Sequence, residues 1–432
     1  SGEPVNIPDV YQAEGFDFTG PRNYDAATGY RSRSMLVMAL QNHENDIIGV
    51  LQLLNAQHTG TGEVVAFSEE YVDLVASLAS QAAVALTNTQ LIQDLTDLFN
   101  SFIKGIATAI DEKSAYTGGH INRVVFIAML IAEKINESRE GYFKDFSFSE
   151  DEMEELMLAA WMHDVGKITT PEYVVDKSTK LQTIFDRLEL IEARFQVIEK
   201  SIENDMLQQK VSLLQQSPDA DKSALAEIEQ TAQICIKILK EDFDVIRRAN
   251  APGEFMDEER VEKVKAIAQK TYVQNNEEHP YLTLDEVNNL SIRKGTLTSE
   301  ERRVIENHAS MTLKILNQLT FPRKFSRVPE FAAGHHEKLD GSGYPQHLTE
   351  TELALQTRIL AVADIFEALT ARDRPYKKPM KLSQAVKILG LMVKDRHIDP
   401  DIFNLVLESD ILKEYAEKHM DPEQVDGLEI PA

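Results

Sequence analysis

Two adjacent histidines followed by a glutamate open the stretch HHEKLDGSGYP, residues 335 to 345. Neighbouring side chains on a helix point about 100° apart, so histidines that merely fill a core need not be adjacent. Ligands reaching toward a pair of metal ions can be. A second pairing, His163-Asp164, ends the apolar run LAAWMHDVGKI and is followed by Gly166 and Lys167. An imidazole nitrogen beside a carboxylate oxygen suits a divalent transition metal. Asp164 can bridge two ions, and Lys167 can offset charge growing on a phosphoryl oxygen. By itself, HD is more often the mark of a packed histidine and a helix-ending aspartate; HDxGK at the end of a buried helix brings ligation level with that reading.

Two further residues bear on that choice. In LTSEERRVIENHASMTLKIL, His308 shares an apolar helical face with Val304, Ile305, Met311 and Ile315, and Thr298 with Glu301 forms a capping-box start. In RILAVADIFEALTARDRPYKK, Asp364 lies among Ala361, Val362, Ala363 and Ile365 on a face that should be buried. A buried carboxylate needs a partner, which a metal or a basic side chain can supply. With HH, HD, a helical histidine and a buried aspartate in one chain, a shared metal centre is the economical account. Of the other histidines, His43, His58, His279, His347 and His419 fall in polar or terminal contexts expected at the surface. His397, in RHIDPD, begins a turn.

Composition limits what such a centre could act on. The 432 residues correspond to about three domains at roughly 150 residues each, and 43% are hydrophobic, enough for sizeable cores. No run approaches the ~18 apolar residues of a membrane span. The leading Ser1-Gly2 reads as a processing scar. The single cysteine, Cys235, excludes an internal disulfide and suits a reducing cytoplasm, and its neighbours Ile234, Ile236 and Ile238 predict a buried structural thiol. Forty-five basic against 71 acidic residues give a net charge of −26, which argues against nucleic-acid polymers and anionic membranes. An anionic substrate would need metal ions or a local basic cluster.

The elements that must position these residues are mostly helices. Residues 34 to 56 read as two strands around the polar turn 42–46. Ser68 then caps a long helix running to about Lys113, with Leu91, Leu95, Leu98, Phe102, Ile106 and Ala109 spaced by three or four in a coiled-coil-like seam. Such a stripe predicts a parallel dimer helix joining two domains. Helices follow over about 122–136 and 149–162. Residues 181 to 275 read as two long amphipathic helices broken at Ser217-Pro218-Asp219-Ala220-Asp221, plus a shorter helix over roughly 257–272, forming an inserted antiparallel hairpin. Without a histidine, the insertion is expected to serve a partner or dimer surface.

Two resemblances refine this picture. FDFTGPRNYDAATGYRSRSMLVMAL, IIGVLQLLNA and FSEEYVDLVASLASQAAVALTNTQL, spanning about residues 15 to 92, resemble the second half of a GAF sensory domain. With the first half missing, the resemblance implies an incomplete ligand pocket and no ligand. HDVGK (163–167), HHEKLDGSGYP (335–345) and DRPYKK (373–378) together resemble the HD-GYP family of cyclic di-GMP phosphodiesterases, over about residues 100 to 182 and 290 to 412. The expected fold is therefore mainly α: a helical HD-type bundle with an inserted α-hairpin at about 183–275, preceded by a partial α/β GAF domain (1–88) and a connecting helix (89–113), with the phosphodiesterase domain spanning 114–432.

The HD-GYP resemblance implies two or three divalent metals, commonly iron or manganese, bridged by water or hydroxide, and an enzyme of second-messenger signalling. Carried onto this chain, His163, Asp164, His308, His335, His336 and Asp364 become metal ligands, with Asp164 bridging. Lys167 becomes the residue touching the hydroxide or the scissile phosphate, Arg374 and Lys377 the phosphate and guanine contacts, and Tyr344 part of the substrate floor. His120 matches a family histidine near the metals, in the second shell or a third site. Tyr116 stands where third-metal members have a glutamate, so two ions are expected. The stretch 371–374 is one residue longer than usual. His335 and His336 would then serve two metals, or one metal and its second shell, with the glycines of Asp340-Gly341-Ser342-Gly343 taking positive φ. The implied reaction is hydrolysis of cyclic di-GMP to pGpG, and onward to GMP. The alternatives are a 3′,3′-cyclic GMP-AMP phosphodiesterase, a broader HD nucleotidase acting on mononucleotides, and a non-catalytic cyclic dinucleotide receptor.

Overall fold

The protein is described by a computed structural model covering residues 2–113, 119–217, 221–251, 253, 255–372 and 379–426. It is mainly α, with fifteen helices and only small sheets among the described residues. The chain divides into two compact units, 1–102 and 103–432.

In the first unit, β1 (Val5–Ile7), β2 (Met35–Gln41) and β3 (Ile47–Leu54) form an antiparallel sheet with β2 central, and α1 (Thr19–Thr28) lies between β1 and β2 in sequence. Alternation along β2 sends successive side chains to opposite faces. Leu36, Met38 and Leu40 pack against Val75, Ala79 and Ala83, while Met35 joins Ile7, Val10 and Phe18. The first helical triplet belongs to α2 (Glu69–Asp111), which follows the ribbon of β4 (Ala56–Gln57) and β5 (Val64–Val65). The predicted hairpin and long helix are thus present. At 1.5 Å per residue, α2 extends about 65 Å. Leu91, Leu95, Leu98 and Phe102 are 48–66% exposed along it.

In the second unit, Ile103, Ala107 and Ile110 at the end of α2 are buried. There α3 (His120–Glu137) packs on α4 (Glu150–Met162), which begins with a Ser149–Glu152 capping box. A 3-10 turn at Val165–Thr169 and the short α5 (Glu172–Val175) follow. The insertion comes next: α6 (Leu188–Gln216), α7 (Lys222–Asn250), α8 (Glu258–Ala268), strands β6 (Thr271–Gln274) and β7 (Glu277–Pro280), and α9 (Leu284–Leu290). The bundle resumes with α10 (Ser299–Leu316), α11 (Val328–Ala333), α12 (Leu355–Thr370), α13 (Leu382–Lys394), α14 (Pro400–Glu408) and α15 (Ile411–His419). The Thr298–Glu301 capping box predicted for α10 is present. Among the described residues, no helix is long and apolar enough to cross a membrane.

Three local expectations need correcting. The helix drawn over 257–272 stops at Ala268, because Asn275 and Asn276, both at positive φ, turn the chain into the β6–β7 hairpin. Cys235 is exposed rather than buried, because the inward stripe of α7 runs through Ala232, Leu239 and Ile246, seven residues apart, and leaves Ile234 and Ile238 outside. His419 is half-buried, with its ring against Phe126 and Tyr415.

The insertion has its own apolar cluster, from Leu181 to Leu290, including Ile191, Phe195, Leu239, Ile246, Val264 and Ile267. Its neck is closed by Asn250, whose side chain accepts from the Leu181 N–H at 2.8 Å and donates to Asp186. The outer part of the α6–α7 hairpin is held differently. Beyond the Glu199–Lys240 and Lys210–Glu229 ion pairs it buries little except Ala232, and exposed pairs contribute at most about 1 kcal/mol each. Replacing residues 203–236 with a four-residue turn should therefore leave a cooperatively folded protein with unchanged metal uptake. A loss of cooperative thermal unfolding would assign the outer hairpin to the core.

Candidate metal centre

Close backbone approach draws the motifs together. His163 ends α4, and Gly166 in the following turn lies so near α10 that a Cβ there would sit 1.9 Å from the His308 carbonyl oxygen. Only glycine fits. Thr312 locks the contact: its hydroxyl accepts from the Gly166 N–H and donates to the His163 carbonyl, both at 3.0 Å. The GYP turn folds back in a comparable way. A Cβ on Gly343 would meet the Lys338 nitrogen at 2.4 Å, so Gly343 is needed for close approach, and of the two glycines expected at positive φ only Gly341 is there. The buried Glu337 carboxylate accepts from the N–H groups of Gln346, His347 and Leu348 at 2.6–3.1 Å. The turn sets the Tyr344 ring 4.8 Å from the His336 ring, centroid to centroid.

The result is one buried cluster around Asp164. Its Oδ1 lies 3.4 Å from His308 Nε2 and 3.9 Å from His335 Nε2, and its Oδ2 lies 3.6 Å from His120 Nε2 and 3.4 Å from His163 Nε2. Asp364 Oδ1 is 3.4 Å from His120 Nε2 and 4.0 Å from His163 Nε2. Donor atoms of His308, His335 and His336 lie within 4.8 Å of one another, as do those of His120, His163 and Asp364. Lys167 Nζ pairs with Asp164 Oδ2 from the more open side, where its side chain is 29% exposed.

The second nitrogen of each ring explains its orientation. Nδ1 of His163, His308 and His335 faces the carbonyls of Ala160, Ile305 and Ala332 at 2.6–2.8 Å, each three residues earlier. Because a carbonyl only accepts, Nδ1 carries the proton and Nε2 presents its lone pair to the cluster. His120 Nδ1 faces Glu367 Oε2 instead, at 2.5 Å. Burial holds His308 and His335 below the ordinary histidine range and pushes His336 down to about 3, so these three stay neutral. Burial acts the same way on His120, but Glu367, Asp164 and Asp364 override it and raise its pKa well above the usual value. Burial would raise Asp164, yet Lys167 and His163 hold it well below the carboxylate range. Buried, yet without a hydrogen bond of proper geometry, are His120 Nε2, His163 Nε2 and Asp164 Oδ1. The Nε2 lone pairs of His163, His308 and His335, aimed at the carboxylate oxygens of Asp164 with no proton between them, match a transition-metal donor set.

The structure thus brings together His120, His163, Asp164, His308, His335, His336 and Asp364, with Lys167 and Tyr344 beside them. Arg374, Lys377 and Tyr116 lie outside the described residues. Sequence reasoning missed Glu337, Thr312 and, above all, Glu367, which is fully buried and also accepts from Arg123 Nε at 2.7 Å. A signal was available: Glu367 lies between Phe366 and Ala368, in the same apolar setting that drew attention to Asp364. A carboxylate orienting a ligand histidine commonly contributes 10–100-fold in metal affinity. Glu367→Gln should accordingly weaken metal retention by about that factor in chelator competition, whereas Asp164→Asn should abolish it. Parental affinity in Glu367→Gln would show that Glu367 does not orient His120.

Comparison with known proteins agrees with these motifs. Residues 117–236 and 285–402 match HD domains, and residues 1–86 match the GAF domain. The chain is 41% identical over 113 residues to 3′3′-cGAMP-specific phosphodiesterase 3 of Vibrio cholerae serotype O1, covering 26% of this chain and 23% of that one. It is 34% identical over 141 residues to a probable cyclic di-GMP phosphodiesterase of the same organism (31% and 32%). A cyclic di-GMP phosphodiesterase of Thermotoga maritima is 40% identical over 96 residues (22% and 26%). The chain therefore spans about a quarter to a third of the length of these curated relatives. A solved cyclic GMP-AMP phosphodiesterase from V. cholerae aligns over 76% of this chain and 55% of its own, at 13% identity and a TM-score of 0.32, too low to bear on the fold. The two HD-domain matches thus enclose HDVGK and HHEKLDGSGYP, the motifs gathered around one cluster, and a GAF-domain match precedes them.

Proposed function

We propose that this chain is a metal-dependent phosphodiesterase that hydrolyses a 3′–5′ phosphodiester bond of a cyclic dinucleotide. One observation carries the reading: five histidines and Asp364 gather their donor atoms around Asp164, with a lysine on the open side. In this account His163, His308, His335, His336, Asp164 and Asp364 would hold two divalent ions, iron or manganese, with Asp164 able to serve both and His120 beside them. When bound, such ions offset phosphoryl charge and activate water.

The remaining roles belong to the chain itself. Lys167 balances charge on a non-bridging phosphoryl oxygen as water adds to phosphorus and the P–O3′ bond breaks, giving a linear dinucleotide. The Tyr344 ring against His336 offers a flat wall for a base, and burial raises the Tyr344 pKa, so its hydroxyl stays protonated and able to donate. Arg374 and Lys377 supply the positive charge that an overall acidic chain needs for phosphate and guanine. Cyclic di-GMP, cleaved to pGpG, is the substrate we favour. 3′,3′-Cyclic GMP-AMP is the second reading, favoured by a relative that is 41% identical over the matched segment. Residues 1–88 would form the sensory segment, 89–113 the connecting helix, and 114–432 the phosphodiesterase domain, with the insertion running through the Leu181–Leu290 cluster. The exposed seam Leu91, Leu95, Leu98 and Phe102, with steps of four, three and four, favours a parallel dimer through α2.

Two experiments test this reading. With both cyclic dinucleotides assayed side by side under anaerobic Fe(II) or Mn(II), the parent should release a linear dinucleotide. Lys167→Ala should keep its metal and lose about 10²–10³ in kcat with little change in KM. Binding without turnover would make the chain a receptor, and cleavage of mononucleotides alone a broader nucleotidase. In sedimentation equilibrium the parent should be a dimer and Leu95→Glu/Leu98→Glu a monomer. A dimer that persists in the double variant would move the interface away from this seam.

A further inference from the structure

The last turn of α2 grips the metal centre from both sides. Just past the helix end, Lys113 donates from its ammonium to three backbone carbonyls: Lys167 at 2.9 Å, Ile168 at 2.8 Å and Thr170 at 2.7 Å. All three protons of the ammonium are accounted for at the end of one 3-10 turn, where a cation is favoured; the Lys167 carbonyl accepts from the Thr170 N–H as well, at 3.0 Å. That turn carries Lys167 and follows His163-Asp164 directly. One residue pair earlier, the Asp111 carboxylate accepts from the Gly119 N–H at 2.7 Å. Gly119, with φ of 85°, is the residue from which α3 starts at His120. Residues 111 to 113, at and just past the end of α2, therefore hold the backbone beneath Lys167 and the backbone leading into His120.

Within the Lys167 turn the restraints are local: Lys167 N–H to the Asp164 carbonyl, Thr170 N–H to the Lys167 carbonyl and the Thr169 hydroxyl to the Gly166 carbonyl, whereas Lys113 ties the turn to another element. Gly166 is fixed from the inner side by Thr312, but the Ile168 side chain is 58% exposed and gains no burial there. The Lys113 ammonium adds to the Thr170 N–H on the carbonyl of Lys167, and ties that carbonyl to the end of α2 while the Lys167 side chain meets Asp164. We infer that Lys113 is a positioning residue: it sets the placement of Lys167, and with Asp111 makes turnover depend on where the C-terminal end of α2 stands. The inference rests on the reading that Lys167 acts in phosphodiester hydrolysis, and it adds a route by which displacement of a 43-residue helix would change the rate without touching a metal ligand.

The test compares Lys113→Met, Lys113→Gln and Lys113→Arg in the full chain loaded with Mn(II), reading metal content, kcat, KM and amide hydrogen exchange. Lys113→Met should keep its metal and keep KM within about twofold, while kcat falls on the order of 10- to 100-fold, the scale of a sub-ångström to 1 Å misplacement. Exchange at the amides of Lys167 and Thr170 should rise, with the α6–α7 hairpin unchanged. Lys113→Arg, still a multiple donor, should recover most of kcat, and Lys113→Gln should fall between the two. Parental kcat in Lys113→Met, or a joint loss of metal and kcat that arginine does not rescue, would overturn the inference. Should the parent turn over neither cyclic dinucleotide, the proposed function fails by itself. The exchange data then decide: unchanged protection of 165–170 in Lys113→Met refutes the anchor, and selective loss of protection upholds it.

Discussion

Asp164 is 3% exposed and has four imidazole nitrogens within 4 Å. A carboxylate removed from water needs compensation on every side, and the neighbouring elements can be read as answers to that demand. Lys167 supplies positive charge from the open side. The histidines supply donors whose orientation is settled three residues upstream, by carbonyls of the same helical turns. Three of the ring orientations thus follow from local helix geometry, and what long-range packing must achieve is to bring the start of α3, the end of α4, the turn after α11 and the middles of α10 and α12 together at the right depth.

That convergence depends on close approach more than on apolar burial. The HDVGK turn meets α10 through a glycine that no side chain could replace, and one threonine hydroxyl serves both neighbours. The HHE segment meets its own GYP turn in the same manner, with Glu337 gathering three amide protons. Buried polar networks of this kind are costly when half-made. Their completeness here gives the two loops one geometry each.

Residue type and spacing made much of the centre legible, because HH, HD and a carboxylate inside an apolar helix are hard to explain as packing. The residues that hold the ligands were harder to read. Glu367 reaches His120 across 247 positions of sequence and Lys113 reaches Lys167 across 54, and no local pattern encodes either distance. Helix propensity also concealed a boundary. Residues 257 to 272 keep helical spacing, and only the Asn275-Asn276 pair signals that strands have begun. The glycines of the GYP turn answer to two physical reasons, a left-handed backbone at Gly341 and space at Gly343, and spacing alone suggests only the first.

The outward position of Cys235 has a chemical consequence. It is the sole thiol in 432 residues, and it lies on the solvent face of α7. Any disulfide this chain forms must therefore join two molecules, hairpin to hairpin. A covalent pair of that kind would disappear under reductant, whereas association through the leucines of α2 would not. The same sulfur gives the insertion a single native attachment point for a thiol-reactive probe, on an element that contributes no donor atom to the cluster around Asp164.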